Sequence, residues 1–172
     1  MNHKEDGFTL LEVLIAIVVF SFGLLGIAGM MTISVRNNHN GYLRSQANFL
    51  AENMMDRMRA NPTALWSGTY TGTPSAGTAE CKLASPCNYD ELAAYDMEQW
   101  AQSIDLALPN GVGTISCVNN QPLPANLSSA TAPSIWFPAP PYRGICTITI
   151  TWNEANRTSN QDAQVLELVA QP

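Results

Sequence analysis

The sequence predicts an α+β protein in which a long N-terminal helix precedes a small head with one further helix and an antiparallel sheet of about three strands. Residues 8–35 carry a single charge, Glu12, and form an apolar run long enough for a membrane-spanning helix. Residues 43–58 place apolar side chains three or four positions apart, the spacing of one helix face. Residues 144–153 alternate between apolar side chains and threonines, the pattern of a half-buried strand.

The N-terminal helix is expected to have two parts. Residues 8–35 would form roughly 42 Å of α-helix, enough to cross about 30 Å of hydrocarbon. Residues 1–7 are too few and too acidic for an ordinary secretory signal, so the apolar segment is expected to be retained as an anchor. Residues 36–61 predict an amphipathic continuation that Asn61-Pro62 ends, because the residue before a proline avoids the helical conformation. The apolar stripe of this continuation comprises Leu43, Ala47, Leu50, Met54 and Met58.

The head is expected to span residues 62–172 and to begin with a surface loop. Residues 63–78 are rich in Gly, Thr, Ser and Pro, and this loop would carry Trp66 and Tyr70. Asn88 is expected to cap the second helix, with Glu91 three residues later completing a capping box. The apolar face of that helix comprises Met97, Trp100, Ala101, Ile104 and Leu108.

After Pro109-Asn110-Gly111 ends this helix, three strands are expected at about residues 113–119, 144–153 and 163–170. In the second strand, Cys146, Ile148, Ile150 and Trp152 would share one face. Residues 121–142 contain six prolines and predict a long irregular excursion between the first two strands.

The charge of the head argues against nucleic-acid binding. The chain has a net charge of −6, and residues 62–172 carry three basic side chains against nine acidic ones. Such a surface repels phosphate, so no direct nucleic-acid partner is expected. Both histidines, His3 and His39, lie outside the head, which therefore offers no Ser-His or Cys-His pair. We expect no catalytic residues, no cofactor and no enzymatic activity.

All four cysteines lie in the head, beyond the apolar segment, which suggests two disulfides in an oxidising compartment. A zinc site is the alternative, but Cys81 and Cys87 stand six positions apart, wider than a usual zinc pair. Of the three possible connectivities, we predict Cys81–Cys87, which closes a short loop before the capped helix. The second predicted bridge, Cys117–Cys146, joins two strands and brackets the excursion.

The segment Gly7-Phe8-Thr9-Leu10-Leu11-Glu12, followed by an unbroken apolar run, resembles the processing site of type IV prepilins and related pseudopilins. The resemblance implies a pilin-like fold and a leader, residues 1–7, that prepilin peptidase removes after Gly7. It also implies N-methylation of the new terminus at Phe8. Glycine before the cut suits close approach of a protease to the backbone.

Glu12 needs a physical explanation, because a carboxylate inside an apolar segment costs about 2.5–3.5 kcal/mol and usually has a partner. The resemblance implies that this partner is the charged terminus at Phe8 of a neighbouring subunit. The alternative is a carboxylate near the membrane interface that is hydrated or protonated.

Several segments resemble minor pilins of the PilV type, the type IV pilus modification proteins: residues 24–29, 51–62, 92–100, 108–111 and 149–154. This implies a subunit that helps to prime pilus assembly near the tip. The implied partners are other minor pilins, the major pilin, prepilin peptidase, the inner-membrane assembly platform and membrane lipid. The implied location is the bacterial inner membrane, single-pass with a periplasmic head, and then the pilus at the cell surface.

Two departures and two alternatives accompany this interpretation. Glu5 and Asp6 stand where leaders of the family usually carry basic or neutral residues, which weakens the positive-inside bias. The apolar helix has Gly23, Gly26 and Gly29 where major pilins have a helix-breaking proline, so it contains either a soft point or merely tolerated glycines. The alternatives are a type II secretion pseudopilin and a surface adhesin or receptor module. The adhesin would use the excursion, in which Trp136, Phe137 and Tyr142 offer a possible contact patch.

Overall fold

The computed structural model describes residues 7, 9–74, 81–82, 86–119, 142–153 and 163–172. The chain divides into two compact units, Met1–Gly41 and Tyr42–Pro172. The predicted boundary after residue 7 marks the end of the leader, and the one after residue 35 marks the end of the membrane-spanning segment; both stay predictions. The α+β prediction is confirmed, with elements in the order α1 (Leu10–Ala60), α2 (Pro62–Ser67), α3 (Tyr89–Ala107), β1 (Val112–Val118), β2 (Ile145–Trp152) and β3 (Gln164–Ala170).

In the first unit, α1 exposes its large apolar side chains on all faces. Its most apolar 18-residue window has a mean hydropathy of 2.6 and none of it is buried, so this helix is long and apolar enough to cross a membrane. The hydroxyls of Ser21 and Thr32 donate to the carbonyls of Ile17 (2.7 Å) and Ala28 (3.1 Å), four residues earlier. These side chains therefore satisfy their hydrogen bonds within the helix, as a lipid environment requires.

The second unit begins with the amphipathic continuation of α1. All five residues of the predicted stripe are buried, together with Ala51 and Met55. The stripe shares a core with α3, and the Trp100 indole N–H donates to the Leu50 carbonyl at 3.0 Å. The helical spacing of this segment thus serves the core of the head.

The helix α2 was not predicted, and the surface-loop prediction for residues 63–78 is wrong for residues 63–70. The Asn61 side chain caps α2 by accepting the Ala64 N–H (3.5 Å), and Pro62 occupies the first turn. Gly68 ends α2 in the left-handed conformation at φ 79°, which favours glycine. Trp66 (8% exposed) and Tyr70 (0%) are core residues rather than surface ones.

The predicted capping box of α3 is confirmed. The Asn88 side-chain oxygen accepts the N–H groups of Asp90 (3.0 Å) and Glu91 (2.9 Å), and the Glu91 carboxylate accepts the Asn88 N–H (3.0 Å). Of the predicted apolar face of α3, Ala101 is half-buried and the others are buried. The Asn61 amide also donates to the Tyr89 carbonyl (2.7 Å), which ties the end of α1 to the start of α3.

The three predicted strands form one antiparallel sheet in the order β1-β2-β3. The predicted alternation of β2 is confirmed, since Cys146, Ile148, Ile150 and Trp152 are all buried. Gly113 lets β1 approach α3 closely, because a Cβ at this position would lie 2.4 Å from the Trp100 ring. The sheet therefore covers α3, and the core lies between them and the continuation of α1.

Candidate processing and assembly site

The N-terminal segment changes from non-helical backbone to helix between Thr9 and Leu10. The Thr9 carbonyl accepts the N–H groups of Glu12 (3.1 Å) and Val13 (3.3 Å), and the Thr9 hydroxyl oxygen also accepts the Glu12 N–H (3.3 Å). Gly7 is exposed, and apart from its chain neighbours no described residue lies within 4 Å of a Cβ added there. Phe8 lies outside the described residues.

Glu12 occupies the first turn of α1, where the helix dipole favours a carboxylate. Its side chain is exposed between large apolar neighbours, of which Leu11 is 68% exposed and Val13 is 49% exposed. Within the described residues it makes no ion pair. Residues 10–35 of α1 thus carry one exposed carboxylate and no other charge.

A comparison with protein families matches residues 2–28 to the prokaryotic N-terminal methylation motif. The motif indicates a type IV pilin or pseudopilin-type protein. The match contains Gly7, Phe8 and Glu12, and it supports the prepilin and pseudopilin superfamily without distinguishing the PilV type. Searches of curated proteins and of solved structures found no match to the chain.

Two further properties follow from the matched motif. The motif belongs to a structural class of proteins rather than an enzymatic one. Together with the exposed apolar part of α1, it also fits a membrane-anchored protein. The glycines of the anchor do not break α1, and a Cβ at Gly23, Gly26 or Gly29 would meet nothing within 4 Å. They therefore pack closely against none of the residues that the structure describes.

The head contains a buried polar cluster that the sequence analysis missed. Asp96 on α3 is 8% exposed, and its carboxylate accepts hydrogen bonds from the Arg57 guanidinium and the Tyr70 hydroxyl, each at 3.0 Å. Burial and the Asp96 carboxylate raise the pKa of Tyr70 well above its usual range. The cluster joins α1, α3 and the turn after α2. The one sequence signal for it is that Asp96 lies between Ala93 and Trp100, at the helical spacing of the buried face.

The cysteines form two disulfides, Cys81–Cys87 (S–S 2.04 Å) and Cys117–Cys146 (2.01 Å). These are the two pairs predicted from the sequence. Cys117 and Cys146 stand directly opposite each other on β1 and β2. None of the four is a free thiol that would bind zinc, and the described residues contain no group of three or more His, Cys, Asp or Glu arranged to hold a metal.

One aromatic residue of the possible contact patch belongs to the core instead. Tyr142 is 4% exposed and packs edge-to-face against Trp66, with ring centroids 5.4 Å apart. Trp136 and Phe137 lie outside the described residues. Tyr142 is therefore not part of an exposed contact patch, because the chain lies in the core just before β2.

Proposed function

We propose that this protein is a minor pilin of a type IV pilus that helps to prime pilus assembly, near the tip. Prepilin peptidase removes the leader after Gly7, and Phe8 becomes the N-methylated first residue. The subunit resides in the inner membrane through the apolar part of α1, with its head in the periplasm, before it enters the pilus. Its partners are other minor pilins, the major pilin, the assembly platform and membrane lipid.

The exposed Glu12 carboxylate is the observation that carries this proposal. It lies in the first turn of a helix whose neighbouring side chains are apolar and exposed. Unpaired in hydrocarbon, it would cost about 2.5–3.5 kcal/mol. A positive amino terminus at Phe8 of an adjacent subunit removes that cost and sets the position of one subunit against the next. The matched methylation motif supports the same pairing, because methylation retains the positive charge of the amino group.

The head supports the choice of a minor pilin. The segments that resemble the PilV type include residues 51–62, which supply buried side chains of α1, and residues 92–100, which form the core-facing part of α3. The Cys117–Cys146 disulfide supports a location in the oxidising periplasm. The excess of acidic over basic side chains in the head argues against a nucleic-acid ligand.

Mass spectrometry of the protein from pilus-bearing cells tests the processing. We expect a mature chain that starts at methylated Phe8, and we expect Gly7→Arg to accumulate as uncut precursor in the membrane. Functional pili that contain this protein with its leader intact would refute the proposal.

A second experiment tests Glu12. The Glu12→Val variant should be cleaved like the wild type but should enter or prime pili poorly, because it cannot pair with a neighbouring terminus. The matched control is Glu52→Gln, which changes an exposed carboxylate in the other unit and should leave piliation unchanged. Normal piliation in a strain that depends on Glu12→Val would exclude the pairing role.

Crosslinking in intact membranes separates the proposed machine from the type II secretion alternative. Capture of pilin subunits and the pilus assembly platform supports the proposal. Capture of type II secretion components in their place would assign the protein to the pseudopilins. Neighbouring genes provide an independent check, since minor pilin genes and secretion genes distinguish the same two machines.

A further inference from the structure

We propose that residues 37–41 are a hinge segment of α1, where the helix opens locally while the parts before and after it stay helical. The inference goes beyond the proposed function, because it concerns the mechanics of α1 and holds whether or not the leader is cut. The hinge segment comprises Asn37, Asn38, His39, Asn40 and Gly41. It lies within α1, which is one continuous helix from Leu10 to Ala60.

The hinge segment consists of residues that form helices poorly. Asparagine and histidine stand in the less favourable part of the helix-propensity scale, and glycine stands below them. Asparagine side chains also compete with the helix for backbone hydrogen bonds, which favours turns. The continuation of α1 over residues 43–58 is instead rich in alanine, leucine and methionine. The hinge segment is therefore intrinsically a weak part of the helix.

Packing against the described residues does little to support the hinge segment. Four of its residues are exposed, and Asn40 is half-buried. A Cβ at Gly41 would meet nothing within 4 Å, and the core cluster begins only at Leu43. None of the side chains in the segment forms a hydrogen bond or an ion pair with a described residue. Few buried contacts and solvent-exposed backbone hydrogen bonds are the properties of regions that open at low free energy.

The parts of α1 on either side of the hinge segment are stabilised in different ways. The apolar run that ends at Val35 is long enough to be held by lipid. From Leu43 onward the helix is held by the core of the head. The boundary between the two compact units falls directly after Gly41. An opening in the hinge segment therefore redirects the chain without disrupting either part.

The hinge segment also contains residues that stabilise an opened helix. Helices sometimes end at an asparagine in the left-handed conformation, so Asn38 can end the first part. Asn40 can cap the second part, because its side-chain oxygen can accept an N–H of the following turn. Gly41 adopts positive φ values without a steric penalty. These groups replace some of the backbone hydrogen bonds that opening breaks.

Amide hydrogen exchange of the full-length chain in detergent micelles, followed by NMR, measures the opening. The amides of residues 39–43 should exchange at least about tenfold faster than those of residues 50–54, which the core protects. Gly41→Ala should slow exchange at residues 39–43 about fivefold, the effect of replacing a helical glycine. The matched control is Gly29→Ala, whose Cβ also meets nothing within 4 Å. It should change exchange at residues 39–43 less than about twofold, because the two sites are distant.

The spread of distances across the hinge segment gives a second readout. One pair of spin labels, at Ser34→Cys and Asn48→Cys, spans the segment. A second pair, at Ser45→Cys and Arg59→Cys, spans the same number of residues in the part of α1 that packs on the core. All four positions are exposed. Pulsed electron resonance should give a broader distance distribution for the first pair, and Gly41→Ala should narrow it.

Exchange at residues 39–43 as slow as at residues 50–54 would overturn the inference. So would an effect of Gly41→Ala no larger than that of Gly29→Ala, or equal widths for the two label pairs. These outcomes are independent of the proposed function, because they need neither cleavage nor a pilus.

Discussion

Replacing Asp96 by alanine should lower the free energy of unfolding of the head by about 1–4 kcal/mol. The change leaves the Tyr70 hydroxyl, on a residue that is 0% exposed, without the acceptor it has at 3.0 Å. An unsatisfied buried group of this kind costs about 1–3 kcal/mol. The Arg57 side chain is 33% exposed and can turn to water, so its lost ion pair adds only about 0–1 kcal/mol.

Urea denaturation of the full chain in detergent micelles, followed by tryptophan fluorescence, measures this loss. Trp66, Trp100 and Trp152 are all buried in the head, so their emission reports its unfolding. The matched control is Asp56→Ala. It removes an exposed pair with Arg59, with side chains 74% and 52% exposed, and should change stability by less than about 0.5 kcal/mol.

A double-mutant cycle identifies the orphaned hydroxyl as the cause. Tyr70→Phe should cost about 1 kcal/mol in the wild-type background, because it removes the hydrogen bond that the hydroxyl donates to Asp96. In the Asp96→Ala background the same change should raise stability, because it removes the unsatisfied hydroxyl. The reasoning fails if Tyr70→Phe is destabilising in both backgrounds, or if Asp96→Ala costs no more than Asp56→Ala.

Three further predictions concern the head. Burial raises the pKa of Tyr70, so above about pH 10 the folded state keeps a proton that the unfolded chain loses, and the stability of the head should decline. Tyr70→Phe should reduce that decline, as measured by urea titrations at several pH values. Cys146→Ser should lower stability and raise proteolysis more than Cys81→Ser does. The Cys117–Cys146 bridge joins residues 29 positions apart and the Cys81–Cys87 bridge residues 6 apart, so loss of loop entropy in the unfolded chain stabilises the head by about 3.5 and about 2.3 kcal/mol respectively. Gly113→Ala should cost about 1–3 kcal/mol in the same denaturation assay, because its Cβ would meet the Trp100 ring.

Each of these predictions has an outcome that contradicts it. An alkaline decline unchanged by Tyr70→Phe would assign the decline to other groups. Equal losses from the two cysteine variants would contradict the loop-length argument, and a mapped peptide linking Cys81 to Cys146 would overturn the pairing itself. A Gly113→Ala variant as stable as the wild type would mean that β1 can move away from α3 at little cost.

The elements that the sequence predicted well are those with a local cause. The capping box of α3 needs only Asn88 and Glu91, three residues apart, and both of its hydrogen bonds form. The alternation in β2 is equally local, because strand geometry alone sends successive side chains to opposite faces. The N-terminal motif is also a contiguous pattern, which is why residues 2–28 match it; processing at Gly7 and Phe8 and pairing through Glu12 stay predictions.

The features that were missed depend on residues far apart in the chain or on an ambiguous local signal. Asn61-Pro62 follows the end of α1, but an asparagine followed by proline is also typical of a helix start. In the structure, Asn61 caps α2 and Pro62 is its first residue. Asp96 resembles a solvent-facing acid until its partners Arg57 and Tyr70 are known, which lie 39 and 26 residues away. Such pairings come from tertiary packing, which no local pattern contains.

The Cys117–Cys146 bridge has a consequence for how this protein can vary. The two Cα atoms lie 4.0 Å apart on neighbouring strands, so the chain between them leaves and rejoins the sheet at one covalently fixed point. Extending a closed loop is cheap, about 0.6 kcal/mol for each doubling of its length. Insertions, deletions and substitutions between the two cysteines can therefore accumulate without moving β1 against β2. Related proteins should differ most in this interval while the flanking cysteines and strands stay alike.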